Sequence, residues 1–377
     1  MWRTTTILVT AVLLLVALGI VMLASTSGVH GNALFGDPNY FVKRQAAALV
    51  LGLLAAILGA RIDYQVWKKF AVPLAGITFL LLAAVLVPGI GIEVKGSRRW
   101  ISLGVTTMQP SEIGKVALIF LLAWWMSRVK RKAGELVPGL IIPGALMGAL
   151  ILPVLVGPDF GTSMLMGAVG FAMLWAGGSR FSHLAIAGTG AASFMTVLIM
   201  QNEVRMRRII AFLDPERYAD REAFQLLNAI YAFVMGGSGG VGLGASLQKR
   251  YYLPESHTDF IFAIIGEELG LAASMGVLLL FAVIFVCGLR ISARAPDSFG
   301  RLAALGLTCM ITIQAAINLG VVTGCLPTKG LPLPFISYGG TSLAITLGMV
   351  GVLVGIARQA GEDGASLSVV RDRARRV

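Results

Sequence analysis

The chain has 377 residues, 56% hydrophobic and 13% charged, with a formal net charge of +12. A soluble domain carries about 25% charged residues, so this composition excludes an ordinary soluble enzyme and makes lipid the main solvent. Length alone suggests two or three soluble domains, but composition favours one membrane domain over residues 1–377. The basic excess needs only anionic lipid headgroups, and no nucleic-acid partner is expected.

Apolar runs follow in chain order at residues 7–24, 46–60, 70–87, 113–126, 139–156, 163–176, 184–200, 260–289, 302–322 and 343–356. A span needs roughly 17–25 residues, so the shorter runs must extend into their flanks or tilt. The first run lacks a convincing small-residue cleavage pattern and reads as a retained helix. The expected fold is all-α: an integral membrane protein of about ten transmembrane helices, with one large extracytoplasmic loop at 201–258. Loop charge orients it. Arg3, the Arg61/Lys68/Lys69 group, the cluster from Arg128 to Lys132, Arg180, Arg290, Arg294, Arg301, Arg358 and the basic tail at 359–377 fall on one side. The short loops between hold only Lys43, Arg44, Lys95, Arg98, Arg99 and Lys329. This bias places both termini in the cytoplasm.

The loop 201–258 breaks the charge rule with Arg205, Arg207, Arg208, Arg217, Arg221, Lys249 and Arg250, partly balanced by acids. Two readings stand: a salt-bridged surface, or an anion site, since the arginine fork matches phosphate oxygens. A short amphipathic helix is expected at 224–234, followed by the glycine-rich MGGSGGVGLGAS at 235–246. That run lacks the GK[ST] ending and the preceding strand of a nucleotide P-loop, which excludes an ATP site. It is expected to be a flexible or phosphate-approaching outside loop.

The three cysteines and three histidines show no metal-ligand spacing. In MQPSEIGK, Pro110 marks a helix start, and Ser111, Glu112 and Lys115 share one helix face. Lys115 is a snorkelling partner of Glu112, or a buried cation for a substrate phosphate or for Asp259, or half of a Ser–Lys pair. Arg98, Arg99 and Trp100 in GSRRWISLG read as an interfacial anchor or as a grip on a headgroup phosphate. Asp159 in VGPDFGTSM reads as a helix cap or a site residue. Asp259 sits between a polar loop and a long apolar run, where a carboxylate serves as a cap or as a general base. Glu267 and Glu268 lie roughly 12 Å deeper and must face protein or water, one of them toward a basic residue on another helix. The segment CLPTKGLPLPFISYGGTS forms a rigid non-helical link at the membrane edge that offers Ser337 and Tyr338.

The blocks GSRRWISLG with QPSEIGK, VGPDFGTSM, PESHTDFIFAIIGEELG and LPTKGLPLPFISYGGTS occur in this order between Gly96 and Ser342. Together they resemble the signature blocks of the SEDS family, the shape, elongation, division and sporulation proteins. PTKG is more similar to the division-type branch, although Thr341 stands where that branch often has Ser. The resemblance implies a peptidoglycan glycosyltransferase that polymerises lipid II, the undecaprenyl-linked disaccharide peptide, at the outer face of the bacterial plasma membrane for septal wall synthesis. It implies a class B penicillin-binding transpeptidase and other division proteins as partners. It makes Asp259 the essential acid and puts Lys115 in the same cavity. Substrate-binding candidates within the blocks are Arg98, Arg99, Trp100, Gln109, Ser111, Glu112, Asp159, Glu255, His257, Thr258, Ser337 and Tyr338. In the implied chemistry Asp259 takes the proton of an acceptor 4-hydroxyl, which attacks the donor anomeric carbon with inversion. Arg98, Arg99 and the Arg205/Arg207/Arg208 group are candidates for the leaving diphosphate. A divalent cation, Mg or Mn, could share that task. A lipid II flippase and a scaffold that only recruits the transpeptidase remain as rivals.

Overall fold

The structure, a computed structural model, describes residues 1–94, 97–102, 104, 107–249 and 253–374, with side chains except at 29, 30, 94 and 362–374. Lys95, Arg250 and the basic side chains of the tail lie outside the described residues. The elements in chain order are α1 (Trp2–Phe35), α2 (Tyr40–Arg61), α3 (Tyr64–Leu86), β1 (Gly91–Val94), β2 (Ser97–Ser102), β3 (Thr107–Met108), α4 (Pro110–Val129), α5 (Ile142–Val156), α6 (Phe160–Ala176), α7 (Phe181–Met200), α8 (Glu203–Leu213), α9 (Phe224–Gly236), α10 (Ile261–Ala293), α11 (Ser298–Val322) and α12 (Gly340–Ala374). A π-helical turn, Val137–Ile141, leads into α5.

Apolar runs become helices here because lipid offers no partner for backbone N–H and C=O groups, so each run must satisfy its own. Among the described residues, eight helices are long and apolar enough to cross a bilayer. Two more complete the ten expected spans. One is α4, whose Glu112 and Lys115 lower its hydropathy; the other is α6, with 17 residues. Polar residues set the starts: Asp63, Asp159, Asn202 and Asp297 each accept a backbone N–H at the head of α3, α6, α8 and α11. Pro110 occupies the first turn of α4, as its missing N–H allows. The expected amphipathic helix at 224–234 is α9.

Burial separates the interior from the lipid face. Helix α4 is buried on all sides, and α11 nearly so. Helix α7 buries only Leu184, and Phe181 and Ile186 on it are 73% and 74% exposed, which suits a hydrocarbon solvent. The most extensive helix pair is α2 with α12. There Gly351 is pressed against the backbone of Ala56, leaving no room for a Cβ. Small residues at such contacts let membrane helices approach closely enough to gain dispersion energy. Gly351→Val should therefore cost about 1–3 kcal/mol through overpacking, read as a lowered midpoint of thermal unfolding in detergent.

Two features depart from the sequence expectation. The stretch 91–108 is a three-stranded antiparallel sheet, β1-β2-β3, instead of a bare loop. The glycine-rich run after α9 does not hang free. Gly270 in α10 has φ 75 and ψ −171, which interrupts that helix and frees the carbonyls of Glu267 and Glu268. Val241 N and Gly242 N donate to them at 2.9 and 3.0 Å, and Leu271 N donates to Gly237 O at 3.0 Å. A side chain at Gly270 would run into the backbone of Gly240, so both the kink and the close approach require glycine there.

Contacts between loops define the two ends of the bundle. At one end Arg358 reaches Arg61 O, Lys68 pairs with Asp297, and Arg294 touches Met1. At the other end the sheet, the α5–α6 corner, the turn before α10 and the loop before α12 come together.

Candidate functional site

The site forms where residues 253–260 meet residues 325–339. Glu255 adopts φ 57 and folds the first segment back on itself. Its carbonyl accepts from Thr258 N and Phe260 N at 3.1 and 3.2 Å, and its carboxylate accepts from Thr258 Oγ1 at 2.9 Å. Phe260 is the N-cap of α10, so Asp259 stands one residue ahead of the cap and does not serve as one. The cap reading of Asp259 is thus set aside on geometry.

The second segment dips into the bundle, with Leu331, Leu333, Phe335 and Ile336 at 3%, 1%, 3% and 0% exposure. Phe335 holds φ 68, a conformation costing of order 1–3 kcal/mol for a bulky residue. Burial of its ring offsets that strain. Ser337 locks the two segments: its Oγ donates to Thr258 O at 2.7 Å and accepts from Leu333 N at 2.8 Å. Tyr338 N donates to His257 O at 3.0 Å. Gln45 on α2 clasps the same strand, donating to Ser337 O at 3.1 Å and accepting from Gly339 N at 3.2 Å. The Phe41 ring packs on His257 and Tyr338 at 4.9 and 5.0 Å. Burial raises the Tyr338 phenol above its usual range, with Arg44 opposing the shift.

Asn318 on α11 fixes the acid. Its amide donates to Asp259 O at 2.8 Å and to Leu331 O at 2.7 Å. Gly330 lies against the carboxylate: a Cβ there would sit 2.8 Å from Asp259 Oδ2. Gly330→Ala should therefore displace the carboxylate and leave the bundle intact. The expected result is an unchanged unfolding midpoint and, if Asp259 is the general base, a turnover loss of about 10²-fold, the cost of misplacing a reacting group by about 1 Å.

Lys115 is 1% exposed and bonded within the protein. It pairs with Glu112 Oε2 at 2.7 Å and donates to Gln314 Oε1 at 2.9 Å. The geometry thus bears out the Glu112 partnership. Gln314 Nε2 in turn donates to Pro332 O at 2.8 Å. Gln314 and Asn318 are one helical turn apart, so Lys115 reaches the Asp259 turn through α11 and the proline-rich loop. The Ser–Lys reading fails, because Ser111 Oγ is buried without a hydrogen-bond partner.

Arg98 and Arg99 hold different partners, at a β-bulge that leaves Arg99 unopposed between Arg98 and Trp100. Arg98 pairs across the sheet with Glu93 at 3.3 Å. Arg99 donates to Gly157 O at 3.3 Å and lies 3.8 Å from Asp159 Oδ1. Asp159 also caps α6 through Thr162 N at 3.1 Å and accepts from Gln109 Nε2 at 3.2 Å. This second cluster, with half-buried Trp100 beside it, braces the sheet against the α5–α6 corner.

Glu267 and Glu268 are fully buried, and the basic partner of Glu268 comes from the loop after α9 rather than from another helix. Lys249 Nζ lies 2.7 Å from Glu268 Oε1, and Ser25 Oγ on α1 lies 2.7 Å from Glu268 Oε2. Glu267 accepts from Ser246 Oγ and, at 2.8 Å, from Leu247 N.

Comparison with known proteins places this arrangement. The family described as cell cycle protein, FtsW/RodA/SpoVE, matches residues 5–362. The chain belongs to the FtsW/RodA/SpoVE family. It is 41% identical over 354 residues to the probable peptidoglycan glycosyltransferase FtsW of Trichlorobacter lovleyi, covering 93% of this chain and 92% of that one. It is 39% identical over 352 residues to the stage V sporulation protein E of Bacillus subtilis, covering 93% and 96%. A chain solved in a study of structural coordination of polymerization and crosslinking by a peptidoglycan synthase complex superposes with a TM-score of 0.79 at 30% identity, covering 94% and 97%. The crystal structure of the rod shape determining protein RodA of Thermus thermophilus gives 0.68 at 28% identity, covering 94% and 96%. In this FtsW/RodA/SpoVE-family chain the motif residues Glu255, His257, Thr258, Asp259, Ser337 and Tyr338 do meet. Sequence reasoning missed Gln45, Gln314, Asn318 and Gly330. The amides of QAAIN, one turn apart inside an apolar helix, were the available signal for two of them.

Proposed function

We propose that this chain is a peptidoglycan glycosyltransferase that polymerises lipid II at the outer face of the bacterial plasma membrane during septal wall synthesis. The observation that carries this reading is the Asp259 carboxylate, presented ahead of α10 on a turn that Asn318 and Ser337 hold from two sides. The relatives named as FtsW glycosyltransferases and the solved peptidoglycan synthase complex support it. The same complex supports a class B penicillin-binding transpeptidase as partner, with other division proteins around it. The basic cytoplasmic-type loops at the opposite end support an outward-facing site and two cytoplasmic termini.

In the reaction an acceptor sugar 4-hydroxyl gives its proton to Asp259 Oδ. Its oxygen bonds to the donor anomeric carbon, the bond from that carbon to the diphosphate breaks, and the diphosphate keeps the electron pair. A general base is most effective near its own pKa and contributes typically about 10²–10⁴-fold. The activated donor supplies the driving force. Among the described residues no three His, Cys, Asp or Glu side chains come together, so a Mg or Mn ion would be held mainly by the donor diphosphate and water rather than by a protein cage.

The flippase reading needs deep charges free to meet a passing substrate. Lys115, Glu267 and Glu268 are instead buried and satisfied by Glu112, Gln314, Lys249 and loop donors. The test is to incubate the full chain with its transpeptidase and purified lipid II in proteoliposomes, scoring glycan strands and translocation. Strands support the polymerase. Translocation without strands supports the flippase, and neither product supports the scaffold.

A further inference from the structure

The cations at the site end divide sharply by partner. Arg98 is matched by Glu93, Arg99 by Asp159, and Arg207 by Glu203 and Glu222. Lys115 and Lys249 are matched by Glu112 and Glu268. Among the described residues no carboxylate pairs with Arg205, Arg208 or Lys329. Yet two of them share one aromatic ring, and Arg208 is near enough for its charge to act on Lys329. The Arg205 guanidinium lies over the Phe160 ring at 4.9 Å, and the Lys329 ammonium lies over the same ring at 4.6 Å. Burial, then the charges of Arg205 and Arg208, push the Lys329 pKa down to about 8. Lys329 directly precedes Gly330, which touches the Asp259 carboxylate.

We infer that Arg205 and Lys329, stacked over Phe160, together with the neighbouring Arg208 seat the diphosphate of a prenyl-diphosphate-linked sugar donor beside Asp259. This inference rests on the glycosyl-transfer reading above and divides its work: Asp259 takes the acceptor proton, and the three cations take the charge that develops as the sugar–diphosphate bond breaks. Two planar guanidiniums and one ammonium match the several oxygens of a diphosphate, and the aromatic floor orients two of the cations without neutralising them. It also explains why Arg207, on the same helix, is left to surface carboxylates while Arg205 and Arg208 are not. Arg205, which donates to Leu198 O at 3.3 Å, and Lys329 are held in place over the ring, so their charge meets the leaving group without rearrangement.

The test uses the full chain in nanodiscs of neutral lipid. Binding of farnesyl diphosphate, farnesyl monophosphate, farnesol and inorganic diphosphate is measured for wild type, Lys329→Gln, Lys329→Arg, Arg205→Gln and Asp259→Asn. Wild type should bind farnesyl diphosphate above the monophosphate and not bind farnesol. Lys329→Gln and Arg205→Gln should each weaken farnesyl diphosphate binding by about tenfold, the effect of losing a charge-assisted bond, and Lys329→Arg should restore most of it. Asp259→Asn should bind as wild type does. Unchanged binding in Lys329→Gln and Arg205→Gln overturns the assignment. Equal binding of inorganic diphosphate assigns the cluster to free anions, and loss of farnesyl diphosphate binding in phosphatidylglycerol discs assigns it to bulk lipid headgroups. Either outcome overturns a leaving-group seat. If Lys329-dependent binding holds while lipid II is not polymerised by the wild-type complex, the seat stands and the polymerase reading falls. The reverse pattern separates them the other way.

Discussion

Asp259→Asn should reduce lipid II polymerisation by about 10²–10⁴-fold, the contribution of a positioned general base. Asn is nearly isosteric and keeps the backbone carbonyl that Asn318 binds at 2.8 Å, so the turn and the proline-rich loop should stay joined. The amide cannot accept the acceptor proton at neutral pH. The expected pattern is a fall in turnover with unfolding midpoint, transpeptidase binding and farnesyl diphosphate binding all retained. Asn318→Leu should behave differently. It removes the donor to both Asp259 O and Leu331 O, leaving two carbonyls unmatched, so it should lose stability along with rate.

The second large effect lies away from the chemistry. Lys249→Met should destabilise the folded chain by about 3–5 kcal/mol, because it strands the Glu268 carboxylate in the interior without its cation. Lys249 and Glu268 are 6% and 0% exposed in their side chains, too buried for water to compensate. Ser25 and Ser246 N remain as donors but supply no charge. The double variant Lys249→Met with Glu268→Leu removes both charges and should recover much of the loss. Thermal unfolding of the four proteins gives the coupling energy directly. Additive losses would show that the pair is not coupled. The pair also has a structural consequence. It ties the loop after α9 to α1 and to the kinked half of α10, so its loss should loosen the segment that leads into the Asp259 turn.

The helices were legible because each apolar run maps onto one helix, eight of them among the described residues long and apolar enough to cross a bilayer. The helix starts were legible where Pro110 and Asp159 carry their meaning locally. The two motifs around Asp259 and Ser337 could be named as candidates, but their contact could not be read, since Ser337 Oγ and Thr258 O are 79 residues apart in sequence. The same holds for Lys115 with Gln314 and for Lys249 with Ser25, whose partners lie on distant elements. The glycine-rich run misled because glycine permits both a free loop and a close-packed one. Only the kink at Gly270 decides between them, and a single glycine in an apolar run gives no warning of it. The sheet at 91–108 was missed because its strands are at most six residues long. Its β-bulge at Arg99 nevertheless gives Arg98 and Arg99, which the linear motif had joined, different partners, Glu93 and Asp159. The sorting of arginines into paired and unpaired sets rests on Glu93, Glu203 and Glu222: the Glu203–Arg207 pair follows helical i,i+4 spacing, whereas Glu93 and Glu222 are brought to their arginines by folds that no spacing announces.

A carboxylate in this position can act as base in one displacement or as nucleophile in two, and the products differ in stereochemistry. The most direct measurement is therefore the anomeric configuration of the linkage made by the wild-type complex from isotopically labelled lipid II, read by NMR. Asp259 as general base predicts inversion of the donor carbon. Retention would mean a covalent glycosyl–enzyme intermediate and would contradict the account.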